Sequence, residues 1–457
     1  MIAEHCVILD IGKTNKKVIV FDQNYNIVFS HSEVLYQTED EDGYPCEDID
    51  VLKSWMINQI NTVLSDPMLN VKAINFSAYG ASFVLLDSSG VELIPLYNYL
   101  KPIDEKVIQS FYDNFGDEIK LSIETSSPSL GMLNSGLQLY RLKFQKRDKY
   151  DLIGTALHLP QYCNYIFTDK PYTELTSLGC HTMLWNFSRN KYHEWVIQGG
   201  FDEKFGSIKS AQEVSFIHHS NKSLAIGSGL HDSSAALIPY LKTIFKPFIL
   251  LSTGTWCIAL NPFNDVPLTS YELKHDCLCY LTYEGKPVKA SRLFLGHEHE
   301  EQVLRLATHF SKDDNYFQTL CFYEAYMEYD GIESDLTYLG SQGLYRSGFE
   351  KRNWYEFKSA EMAYHILIHD LIKMQKKSIR LIQNDIIKEI YVDGGFAKNE
   401  VFMHVLARAL PDLNVYSSIV SQASALGAAM VIHSQWNSLA LPGHPIQFER
   451  YAIQKKL

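Results

Sequence analysis

Four short segments of this chain concentrate the residue types that phosphoryl-transfer chemistry uses: a metal ligand, donors around phosphates, and a base for an attacking hydroxyl. Asp10-Ile11-Gly12-Lys13-Thr14-Asn15-Lys16-Lys17 ends an apolar run in a glycine turn carrying carboxylate, hydroxyl, amide and ammonium groups. Gly12 lets the backbone approach an anion closely, and Asp10 is suited to hold Mg²⁺ directly or through water. A plain hairpin with a solvated basic tip accounts for the same residues equally well. The spacing of a Walker P-loop is absent. Ser252-Thr253-Gly254-Thr255 offers a second cradle of the same kind. In Gly229-Leu230-His231-Asp232-Ser233-Ser234-Ala235-Ala236, Asp232 stands just before the helical pattern AALIPYLKTIF. An Asp there either caps the helix or, with its carboxylate partly free, accepts a proton from a hydroxyl. Val392-Asp393-Gly394-Gly395-Phe396-Ala397-Lys398-Asn399 reads as strand, paired glycines and helix, a bare surface for a flat base or a left-handed turn.

These groups need a scaffold to bring them together. Residues 6–32 read as three strands, CVILDIG, KKVIVFD and NIVFSHSEV, followed by a helix near 50–65 with Val51, Leu52, Trp55, Ile60 and Val63 on one face. A strand over Lys72 to Ser77 and a hairpin-like FVLLDSSGVELIPLYNY come next. At residue 247 the opening pattern returns as PFILLSTGTWCIALNPF. Two strand–turn–strand units so far apart imply two similar domains facing one another, unless they are two unrelated hairpins. The boundary falls near 240, giving domains of 1–240 and 241–457. Beyond it come a long helical pattern, AEMAYHILIHDLIKMQKKSIRLIQ, the strand EIYVDGG, and SQASALGAAMVIHS with its small-residue face.

Taken in order, the four segments resemble the FGGY carbohydrate kinases of the actin/hexokinase superfamily. Asp10 to Lys17 is similar to that family's first phosphate motif, Gly229 to Ala236 to its G-x-H-D-x-x-x-A motif, Ser252 to Trp256 to its second phosphate motif, and Asp393 to Asn399 to its nucleoside motif. The resemblance implies an α/β chain of two ribonuclease-H-like (actin-like) domains with a central cleft. It implies ATP and Mg²⁺ as cofactors, and transfer of the γ-phosphoryl group to a hydroxyl of a ketose or related polyol. Asp232 would be the general base, and Asp10 would place the metal. Gly12, Lys13, Thr14, Asn15, Lys17, Thr253, Gly254 and Thr255 would line the phosphates, although Lys13 departs from the family's usual Thr or Ser. Gly394, Gly395, Lys398 and Asn399 would border the nucleoside.

Tyr79, Gly80, Ser82, Tyr99, His231 and Asp232 are the expected sugar-side residues. Ala78 to Asp87 and Thr173-Glu174-Leu175-Thr176-Ser177 look like the rhamnulokinase and fuculokinase side of the family. Ser82 stands where that branch has an Asp, and Leu100-Lys101 where it has Arg-Asp. A neutral hydroxyl replaces a charged acceptor, so L-rhamnulose is expected to be a poor substrate and some other ketose or polyol a better one, with Lys101 as a candidate donor. A sugar-binding or regulatory relative with weak catalysis is the alternative. An actin-like chaperone or filament ATPase is disfavoured by the Gly-Leu-His-Asp stretch.

Composition agrees with these limits. The chain has 457 residues, a formal net charge of -12, and 46% hydrophobic residues, which fits a two-domain globular protein and supplies no footprint for nucleic acid. No membrane span or secretory leader is expected, and a cytoplasmic location with buried, reduced thiols follows. The group His275-Asp276-Cys277 with Cys279 reads as a strand rather than a metal site. A small-molecule sugar is the expected partner, and a homodimer is a candidate assembly.

Overall fold

A computed structural model describes residues 3–93, 95–219, 222–332, 346–420, 422–443 and 446–451. Its contacts divide the chain into two compact units. The first comprises Met1–Thr243, Cys279–Pro287 and Ser421–Pro445; the second comprises Ile244–Leu278, Val288–Val420 and Ile446–Leu457.

The sheet of the first unit starts with β1 (Glu4–Ile11), β2 (Lys16–Phe21) and β3 (Ile27–Glu33), and continues with β4 (Asn70–Ala78), β5 (Val214–His219) and β6 (Lys222–Gly227). In space the order is β5-β6-β4-β1-β2-β3. From the β3 edge, the pairings run antiparallel, antiparallel, parallel, parallel, antiparallel. The sheet of the second unit contains β7 (Phe248–Thr253), β8 (Cys257–Asn261), β9 (Pro287–Leu293), β10 (Glu389–Gly394), β11 (Asn414–Ile419) and β12 (Gln447–Tyr451). Along β9-β8-β7-β10-β11-β12 the pairings repeat the same series. The two strand–turn–strand segments of the sequence are therefore equivalent strands of equivalent sheets. This is the α/β, two-domain, ribonuclease-H-like organisation expected from the sequence.

β1 is a near-continuous apolar run because both of its faces are covered. Val7, Leu9 and Ile11 point into one core with Leu52, Trp55, Met56 and Ile60 of the helix Ile49–Ser65. Asp48 starts that helix by accepting the Val51 N–H at 3.0 Å. Val51, expected on the buried face, is 41% exposed, and Met56 takes the inward position. Alternation along the strand sends Asp10 to the opposite face, toward the helix Ala423–Val431. This helix lies tightly on the helix Asp232–Thr243, and a methyl group at Gly427 would overlap the carbonyl of Ala235. Ser421, the first residue of its sequence pattern, lies outside the described residues.

Two details differ from the sequence reading. The strand Phe83–Leu86 pairs antiparallel with Thr155–His158, and its own return is confined to an isolated bridge between Leu86 and Glu92. Of the eight cysteines seven are buried, whereas Cys321 is exposed. Asp276 is bound to Arg292 at 2.6 Å, and among the described residues no group of three or more His, Cys, Asp or Glu could hold a metal. Nor, among them, is any helix long and apolar enough to cross a membrane.

The close approach at Gly427 yields a direct expectation. Gly427→Val should lower the unfolding free energy by roughly 1–3 kcal/mol through overpacking. Urea denaturation measures it, and an unchanged midpoint would mean that the two helices are free to separate.

Candidate functional site

The first unit gathers three of its sequence motifs at one end of three parallel strands. β4 lies between β1 and the two-residue strand Leu230–His231, with Ser77 level with Asp10 on one side and with Leu230 on the other. All three strands run in the same direction, so Asp10, Tyr79-Gly80 and His231-Asp232 emerge at their carboxyl ends. Ligand groups of open α/β sheets collect at that edge.

Asp10 is 8% exposed and accepts a hydrogen bond from Ser424 Oγ at 3.1 Å. Burial raises its pKa to about 6; the charge of Asp232 pushes in the same direction, while Lys17 and the hydroxyls of Ser77 and Ser424 oppose it. Lys17, opposite Asp10 on β2, donates to Gln422 Oε1 at 2.9 Å. The intervening turn is closed by Gly12 N–H to Asn15 O at 3.0 Å. A Cβ on Gly12 would stand 2.9 Å from that oxygen, which is why glycine sits there. Thr14 and Asn15 are exposed at its tip.

Asp232 opens its helix but does not cap it in the usual manner. Its Oδ1 accepts from the adjacent Ser233 N–H at 2.6 Å and from Ser233 Oγ at 3.3 Å, rather than from the second or third N–H of the helix. Its side chain keeps 32% of its surface open, and burial of the rest raises its pKa to about 6 against the two Ser233 hydrogen bonds. His231 is held neutral by burial, with its pKa lowered to about 3. Its Nε2 lies 3.2 Å from Asp232 Oδ1 and 3.0 Å from Cys180 Sγ, and its ring stacks on Tyr280 at 5.5 Å.

The other expected sugar-side residues adjoin this edge. Tyr79 donates from its hydroxyl to Glu47 Oε1 at 2.9 Å, and Gly80 leaves no room for a side chain beside Cys180 and His231. Ala81 adopts φ +60°, a strained conformation for a residue with a Cβ. Ser82 Oγ is buried with no hydrogen-bond partner among the described residues. The Tyr99 phenol is raised to about 12 by burial and then by the charges of Asp232 and Glu47. Lys13, grouped by sequence with the phosphate ligands, holds its ammonium 5.1 Å from the Tyr79 ring centre and 5.2 Å from that of Tyr99. Lys101 is engaged elsewhere, 2.6 Å from both Asp40 and Asp42.

The second unit carries a cavity of about 750 Å³ lined by Gly254, Thr255, Gly395, Lys398 and Asn399, all expected from sequence. Thr253 shapes it from beneath: its Oγ1 donates to the carbonyl of Asp393 and accepts from Phe396 N–H at 3.0 Å. Gly394, at φ +89°, lies so close to Thr253 O that a side chain would overlap it. Asn399 caps the helix Glu400–Ala409 by accepting from Phe402 N–H at 3.0 Å, and its amide donates to Tyr364 O–H at 2.6 Å. Gly296, His299, Phe317 and Tyr364 also line this cavity, and no sequence pattern pointed to them. They come from three separate segments whose only signal is ordinary helical or apolar periodicity.

The paired acids carry a stability cost that depends on pH. In its folded environment Asp232 binds a proton more tightly than an unfolded Asp, whose pKa is ~3.9. The cost is absent below about pH 4, grows between about 4 and 6, and is complete above about 6. In metal-free buffer at neutral pH, Asp232→Asn should therefore be more stable than wild type by on the order of 2 kcal/mol, with the partial exposure allowed for. Melting temperatures across this range test it. A gain that persisted unchanged at pH 4 would assign the effect to packing.

Comparison with known proteins adds three findings. Residues 5–237 match the N-terminal domain of the FGGY family of carbohydrate kinases, and residues 245–440 match the C-terminal domain of carbohydrate kinase FGGY. A rhamnulokinase of Halalkalibacterium halodurans is 26% identical over 278 residues, covering 57% of this chain and 56% of that protein. The matched stretch thus spans about half the length of that curated relative. Among solved structures, a carbohydrate kinase from Novosphingobium aromaticivorans superposes with a TM-score of 0.81 at 22% identity, covering 99% of this chain and 95% of that one. Plasmodium falciparum glycerol kinase with ADP gives 0.75 at 16% identity, covering 95% and 90%.

Proposed function

Because this chain belongs to the FGGY family of carbohydrate kinases, we propose that it is an ATP-dependent kinase transferring the γ-phosphoryl group to a hydroxyl of a sugar or polyol, with a ketose or related sugar as acceptor. The observation that carries the reading is Asp232. Its carboxylate is free of a capping role, a third open, and set beside a neutral His231 at the carboxyl ends of the parallel strands.

In this reading the first unit binds the acceptor and the second binds the nucleotide. The acceptor hydroxyl approaches Asp232, whose carboxylate takes its proton as the new O–P bond forms and the bond to the leaving diphosphate breaks. Tyr79, Gly80, Ser82, Tyr99 and His231 orient the acceptor. The N–H groups and hydroxyls of the Gly12–Asn15 turn, with Lys17, hold phosphate oxygens on the first unit. Gly254 and Thr255 do so on the second, while Gly394, Gly395, Lys398 and Asn399 border the nucleoside. Thr253 acts by fixing that turn.

Mg²⁺ fits the donor set. Asp10 is destabilised by burial and by the charge of Asp232, so a cation beside it relieves both effects. Mg²⁺ typically takes one or two carboxylates and fills its remaining positions with water and phosphate. Asp10 is the residue to hold it, directly or through water, and the metal's contribution is to neutralise charge on the transferring phosphoryl group.

Asp232→Asn should reduce kcat by on the order of 10²–10⁴-fold while ATP binding survives. In the wild type, kcat/KM should fall as pH drops through about 6, where the base becomes protonated. Steady-state assays across pH check both. A folded Asn variant with near-normal turnover would leave Asp232 without the base role.

Chelator should abolish turnover, and added Mg²⁺ should restore it at once. Elemental analysis finding a tightly held transition metal required for turnover would contradict this assignment.

A further inference from the structure

Lys13 sits where a small hydroxyl residue is usual, and its ammonium turns into the acceptor side of the first unit. It lies over the rings of Tyr79 and Tyr99, with Glu47 Oε1 as its nearest carboxylate oxygen at 3.8 Å. That distance exceeds a hydrogen bond. Glu47 is already engaged: the buried Lys16 stands 3.0 Å from its Oε2, and the Tyr79 hydroxyl donates to its Oε1. One carboxylate thus serves two ammonium groups, and Lys13 has the weaker share of it. Burial lowers the pKa of Lys13, so its charge is held without full compensation. The two rings give it faces to lie on, which orient a cation but supply no counter-charge.

The neighbouring groups indicate what an incoming molecule meets. The Tyr99 ring lies 5.2 Å from the Lys13 ammonium and 5.9 Å from the Tyr79 ring, and its phenol feels the charges of both Asp232 and Glu47. Ser82 presents a buried neutral hydroxyl with no hydrogen-bond partner among the described residues. Lys101, the other nearby candidate cation, is neutralised by Asp40 and Asp42.

We propose that Lys13 is a specificity residue reading a carboxylate on the acceptor, and that the preferred acceptor class of this kinase is therefore a sugar acid rather than a neutral sugar. The proposal rests on the kinase reading above for the acceptor's role and narrows the chemistry of the acceptor itself. A linear or ring sugar acid offers its carboxylate to Lys13, its C–H face to the Tyr99 ring and a hydroxyl to Asp232.

Calorimetric titration of the nucleotide-free protein tests this without turnover. The probes are the stereoisomeric pentonates and hexonates, each against the alditol of the same configuration. At least one aldonate should bind about ten- to a hundredfold more tightly than its own alditol, the range of a charge-assisted hydrogen bond. Lys13→Met should largely erase that margin, and Lys13→Arg should retain most of it. The proposal is overturned if no aldonate exceeds its alditol in the wild type. It is equally overturned if Lys13→Met keeps the margin and weakens ATP binding instead, which would make Lys13 a phosphate ligand. Kinase assays on the same panel separate the two readings. Phosphorylation of neutral sugars alone removes the sugar-acid inference and leaves the kinase standing, whereas selective aldonate binding with no ATP-dependent product does the reverse.

Discussion

The parallel alignment of three strand ends in the first unit is the constraint on which the candidate chemistry depends. With β4 between β1 and Leu230–His231, two acids separated by more than two hundred residues of sequence reach the same edge. Among the described residues neither is neutralised there by an Arg or a close Lys. Asp10 has the hydroxyls of Ser77 and Ser424 and the more distant Lys17, and Asp232 has the N–H and hydroxyl of Ser233. Ordinary folding thermodynamics would favour apolar groups or a tight ion pair in such a place. The kinase role proposed above, with a base and a metal at this edge, calls for the opposite, namely carboxylates left electrostatically hungry. Local instability and reactivity have one cause here.

The second unit solves a different problem with the same sheet. Among the described residues its strand ends carry no pair of acids. Thr253 of β7 and Gly394 of β10 instead lock together, and the turn that follows is smooth enough to border a large cavity. Tyr364 and His299 form a hydrogen-bonded aromatic wall, 3.1 Å apart, whose position Asn399 steadies through the same tyrosine hydroxyl. One supersecondary pattern has thus been specialised twice, for charge in one copy and for shape in the other.

Much of this was legible in the residues, for identifiable reasons. Strand–turn–strand patterns and glycines that must admit close backbone contact are local, so Gly12, Gly394 and the two opening hairpins could be read directly. Periodicity found the helix Ile49–Ser65, but it could not rank Val51 against Met56 for the inner face, because a helical face blurs over one residue. The strand Phe83–Leu86 reads locally as a hairpin because its true partner, Thr155–His158, lies far along the chain. Lys101 reads as a candidate substrate donor by residue type alone, but Asp40 and Asp42, 61 and 59 residues away, occupy it. His299 and Tyr364 become significant only when the helices bearing them converge. Apart from the choice between Val51 and Met56, each of these turns on a long-range contact, which residue type alone does not encode.

The helix Ala423–Val431 has a consequence for how the protein comes into being. It belongs to the first unit, where Ser424 touches Asp10 and Gly427 nests on the helix that begins with Asp232, yet it is made after almost all of the second unit. At ~5–20 residues per second, a ribosome takes on the order of 10–40 s to travel from residue 243 to residue 424. Throughout that interval the nascent first unit leaves Asp10, Asn75 and the Ala235 side of the helix Asp232–Thr243 without the helix that covers them. The newly made second unit must mature without trapping it. The protein therefore completes the earlier-made of these two units last.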